Sequence, residues 1–82
     1  MEKRTVKFLK DYLEALEITD YKLDESQDTL GYLLILTMKN TDPKIGVLKG
    51  KSGKNIDSLK KLLRVVGFGE RINPNLVVKI QG

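Results

Sequence analysis

Apolar positions along the chain follow two different periods. Val6, Leu9, Leu13 and Leu16 recur at spacings of three, four and three, and Phe8 and Tyr12 widen the stripe, which predicts a helix over 3–17. Tyr21 and Leu23 alternate with Lys22 and Asp24, the pattern of a short half-buried strand. Ser26, Gln27 and Asp28 carry turn chemistry. The segment 30–39 is rich in strand formers, and its length and flanking turns favour a strand over a helix. These two strands are expected to pair as an antiparallel hairpin. Within the second, Tyr32, Leu34, Leu36 and Met38 share one face and are assigned to the core. Leu33, Ile35 and Thr37 then point the other way.

Asp42-Pro43 is a strong helix start, because Asp caps and Pro suits the first turn. A short helix is expected over 43–49, interrupted by Gly50-Lys51-Ser52-Gly53. A second helix restarts at Gly53 and is expected to stop at Gly67, with Ile56, Leu59, Leu62, Leu63 and Val66 on its apolar face. The segment 67–75 reads as a loop, and 76–80 alternates as a final strand. The order is therefore helix, strand, strand, helix, helix, strand. A crossover of two helices between the last two strands normally leaves them parallel. The expected fold is α+β, one domain over 1–82, with three helices on one face of a three-stranded mixed sheet.

Composition narrows the chemistry. The chain has 82 residues, with no Cys and no His. Disulfides, thiol or imidazole catalysis, and Cys or His metal ligation are therefore excluded. No paired carboxylate or lysine constellation points to an enzyme, and no cofactor is implied. The longest apolar run, Leu33-Leu34-Ile35-Leu36, is far shorter than the roughly 18 residues of a membrane span. The start shows no signal-peptide pattern, so a cytoplasmic protein without membrane partners is expected.

The formal charge of +4 is unevenly placed. Residues 1–41 carry six Lys or Arg against eight Asp or Glu, and residues 42–82 carry nine against three. Seven of those nine lie between Lys44 and Arg64, opposed only by Asp57. A polyanion meets this half first, through long-range attraction and counterion release.

The segment from Ile45 to Ile56, IGVLKGKSGKNI, is the most informative. It is not a Walker A loop, because three rather than four residues separate Gly46 from Gly50-Lys51-Ser52 and no strand precedes it. It resembles the GxxG core of KH domains. The matching features are Ile45-Gly46 in the first helix, the loop Gly50-Lys51-Ser52-Gly53, and Ile56 three residues later, with Asn55 and Leu59 also at family positions. The element order is similar to that of the prokaryotic type II KH fold. The sequence departs from the family at Lys49, where Ile or Val usually precedes the first loop glycine. Either Leu48 takes over the apolar role, or Lys49 adds charge beside the loop and the groove floor is less apolar.

The resemblance implies single-stranded nucleic-acid binding, with RNA preferred over DNA. Gly50 and Gly53 let a phosphate backbone approach, and the following helix N-terminus favours an anion. Lys49, Lys51 and Lys54 are placed to neutralise phosphates, and Ser52 supplies a loop hydroxyl or a cap. About four nucleotides are held by such domains. Ile45, Leu48, Ile56 and Leu59 are the candidates for an apolar groove floor. Phe68, Arg71 and Asn73, before the last strand, are placed on its far wall, with Arg71 the binding candidate. Lys60, Lys61 and Arg64 fall on the solvent side. The alternative is a protein–protein module that uses the same fold as a scaffold within a ribosomal or transcription complex. The outward row of Leu33 and Ile35, beside Val77, is the expected surface for a homodimer or a protein partner.

Overall fold

The computed structural model describes residues 3–28 and 31–82. Its elements are α1 (Arg4–Ala15), β1 (Lys22–Asp28), β2 (Gly31–Lys39), α2 (Lys44–Lys49), a 3-10 turn (Lys51–Gly53), α3 (Lys54–Gly69) and β3 (Pro74–Gln81). The fold is α+β. The sheet is mixed, in the order β1-β2-β3, with β1 antiparallel and β3 parallel to the central β2.

Alternation in β2 decides which way the sheet faces. Tyr32, Leu34, Leu36 and Met38 are buried, and the residues between them are half-buried. The buried set packs with Val6, Leu9 and Leu13 of α1, Leu48 of α2, and Leu59 and Leu63 of α3. Both long helices are thus held by stripes at helical spacing, as their sequences dictate. Among the described residues, no helix is long and apolar enough to cross a membrane.

Several boundaries differ from the sequence expectations. Ser26, Gln27 and Asp28 are strand, paired with Leu33, Tyr32 and Gly31. Edge strands tolerate polar side chains, so turn-forming residues extend β1 where β2 offers partners. Leu30 lies outside the described residues. Gly67 does not stop α3, which runs on to Gly69. Gly67 is instead a point of close approach: a Cβ there would sit 2.6 Å from Pro74 Cγ. β3 correspondingly begins at Pro74, two residues earlier than its alternation suggests. Leu62, expected on the apolar face of α3, is 45% exposed. Phe68, expected in a loop, lies in the last turn of α3 and is 84% exposed.

The start of α1 is secured from far along the chain. Its N-cap, Lys3, makes no side-chain cap bond, and no acidic residue occupies its first turn. Glu70, just after α3, takes that place. Its Oε2 accepts from the Arg4 amide at 2.9 Å, and its Oε1 accepts from the Thr5 amide at 2.6 Å and the Thr5 hydroxyl at 2.7 Å. Burial pushes the Glu70 carboxyl up. The Thr5 hydroxyl, the Thr5 and Arg4 amides and the Lys3 charge outweigh it, so its pKa is lowered overall.

Candidate nucleic-acid interface

Residues 40–43 join β2 to α2, so α2 starts beyond the C-terminal end of β2. Asp42 starts α2: its Oδ1 accepts from the Lys44 amide at 2.8 Å. The helix ends when the Gly50 amide donates to the Gly46 carbonyl at 2.9 Å. Gly50 has φ +70 and ψ 178, a conformation almost confined to glycine. Gly53 follows in the left-handed region at φ +75, and Ser52 between them is also left-handed at φ +57.

Asn55 ties the two helices together across this turn. Its Nδ2 donates to the Val47 carbonyl at 3.1 Å. A Cβ on Gly50 would sit 2.7 Å from that same nitrogen. The glycine and the asparagine therefore depend on each other: the strap fits only where no side chain intrudes. Family resemblance singles out Asn55 in the sequence, but its bonding partner is set by the tertiary structure.

The loop opens onto the N-terminus of α3, where no side chain caps the helix. Lys49, Lys51, Ser52 and Lys54 are exposed around it, while Gly50 and Gly53 are half-buried. Among the described residues, none of these three lysines forms a salt bridge; the pairs present are Lys7–Asp11, Lys22–Asp24, Lys39–Asp20 and Lys44–Glu17. Asp57 is the acidic residue in the first turn of α3. Unpaired cations beside uncapped amide groups favour an anion.

The apolar candidates divide into two layers. Leu48 and Leu59 have no exposure and belong to the core. Ile45 and Ile56 are half-buried and pack against that core, so they supply the accessible apolar surface. Leu48 buried beside exposed Lys49 places the apolar residue one position before the usual one. Lys60, Lys61 and Arg64 are exposed along α3.

Arg71 is exposed and left-handed, at φ +59, in the turn after α3. The 16 residues of α3 span about 24 Å, so Arg71 and the exposed Asn73 stand at the opposite end of that helix from the loop. The loop, its lysines and Ile56 thus lie at one end of α3 and Arg71 at the other, while Ile45 sits in the first turn of α2, at the end away from the loop. The concavity lined by Glu17, Asp20, Asp42 and Lys44 lies at the far end of α2 from the loop and is mixed in charge. No family model and no curated protein matches the chain.

Proposed function

We propose that this chain is a KH-like domain of type II, with three helices on one face of the sheet, that binds single-stranded nucleic acid, RNA in preference to DNA. It acts by binding rather than catalysis. The observation that carries this reading is the loop itself: two glycines at positive φ, strapped by Asn55, deliver Lys51 and an uncapped helix N-terminus to one exposed place. In this reading the loop grips the phosphate backbone. Lys49, Lys51 and Lys54 neutralise it, and the bases rest on Ile45 and Ile56 over Leu48 and Leu59. Arg71 and Asn73 meet the far end of a strand that follows α3.

The test is titration of short single-stranded RNA against the wild type and a Lys51→Asp/Ser52→Asp variant, with thermal melts of both. Charge-assisted contacts to phosphate contribute roughly 1.5–3 kcal/mol each, so the variant is expected to lose at least about tenfold in affinity. Its fold is expected to survive, because both side chains are exposed and acids suit a helix N-terminus. Engagement of about three to five phosphates gives the wild type a log–log salt slope of about −2 to −3.5. Equal affinity in two equally stable proteins overturns the reading.

A second reading, a protein-docking module, is favoured by one observation. Leu62, Val65 and Phe68 form an apolar row on α3 that is 45%, 70% and 84% exposed. RNA affinity that ignores both the loop substitutions and salt would favour it.

A further inference from the structure

The two edges of the sheet are unequally protected. β1 forms one edge and carries four charged residues in seven: Lys22, Asp24, Glu25 and Asp28. β3 forms the other; it is eight residues long, its only proline is Pro74 at its start, and Lys79 is its only charge. An edge strand presents a row of main-chain N–H and C=O groups that pair readily with another strand, and charged side chains are a common defence. β3 also exposes Val77 by 41% and Ile80 by 39%.

We infer that β3 pairs antiparallel with β3 of a second copy of this chain, joining two sheets into one of six strands across a two-fold axis. The register supports this occupant. Pairing centred on Val77 sets Val77 opposite itself, Val78 opposite Leu76, and Lys79 opposite Asn75. The one charge of the strand therefore never meets its own copy. The same operation on β1, centred on Glu25, sets Glu25 against Glu25, a destabilising like-charge pair, and sets Lys22 opposite Asp28 at each end. Pairing β3 with β1 of another copy leaves new edges at both ends and makes an open filament, whereas β3 with β3 closes after two chains.

The outer face of the sheet fits the same arrangement. Ile35 pairs with Val77 inside the sheet, and Leu33 lies two residues before Ile35 on the same face. Joined at β3, the two apolar rows become one, running through both Val77 side chains. The inference stands independently of nucleic-acid binding.

Sedimentation of the RNA-free protein from micromolar to millimolar concentration tests it, and the mass is expected to double. Val77→Lys and Val77→Glu, at a position exposed enough to accept either, are each expected to remain monomeric. Mixed in equal amounts, they are expected to form a heterodimer, because opposite charges then face each other at the axis. Amide hydrogen exchange of the wild type supplies a readout without substitution: protection that grows with concentration is expected on β3 and not on β1. A wild type that stays monomeric at millimolar concentration overturns the inference. So does a dimer that survives Val77→Lys, or concentration-dependent protection confined to β1 or α3.

Discussion

Replacing Glu70 with Ala removes a helix cap that comes from 65 residues away. The carboxylate holds the Arg4 amide, the Thr5 amide and the Thr5 hydroxyl, and Thr5 itself is fully buried. Losing an ordinary local N-cap costs about 1 kcal/mol. Here the loss also strands the hydroxyl and amide of a buried residue, and a buried unsatisfied polar group costs about 1–3 kcal/mol. Partial solvent access to the Arg4 bond discounts the upper end, which leaves about 2 kcal/mol for Glu70→Ala. In a domain of this size that corresponds to a fall of about 8–16 °C in Tm. Glu70→Gln keeps a carbonyl acceptor and is expected to lose about half as much. The sign of the pH dependence follows from the lowered pKa of Glu70. Its stabilisation is complete above the ordinary glutamate pKa of about 4.3 and disappears as the pH falls through the lower value of the folded state. Thermal melts of the three proteins across that range are the assay. The gap between wild type and Glu70→Ala is expected to be constant near neutrality and to close in acid. A Tm within about 2 °C of wild type at neutral pH, or a gap indifferent to pH, refutes the reasoning.

Two further substitutions test the packing and the loop. Gly50→Ala forces a side chain into glycine-only backbone geometry and against Asn55; it is expected to cost about 1–3 kcal/mol and to weaken RNA binding, whereas Gly46→Ala, where a Cβ meets nothing within 4 Å, is expected to stabilise α2 by about 0.5–1 kcal/mol in the same melts. Tyr32 is 3% exposed, and among the described residues its hydroxyl has no hydrogen-bond partner. Tyr32→Phe is therefore expected to hold or raise Tm, and a loss above about 1 kcal/mol in denaturant titration would reveal a partner for that hydroxyl.

Local rules carried much of the architecture. The alternation of Tyr32, Leu34, Leu36 and Met38 made them one face of a strand, and all four are buried, because successive side chains in a strand point to opposite sides. Asp42 before Pro43 marked the start of α2, and a short-range bond to the Lys44 amide is what marks it in the fold. The glycines of the loop were legible for the same reason: Gly50 and Gly53 adopt backbone angles that their own lack of a Cβ permits. Tertiary structure decided the rest. Ser26–Asp28 looked like a turn in isolation, but the length of β2 draws these residues into the sheet. Gly67 looked like a helix stop, yet its role is to let Pro74 approach, a contact set by how α3 lies on β3. Leu62 carried the signal of a core leucine and faces solvent, because periodicity gives a helix its stripe but not the width of what covers it. The bond from Glu70 to Thr5, and the distance that α3 puts between Arg71 and the loop, have no local signature. Both exist only once distant segments of the chain have been packed side by side.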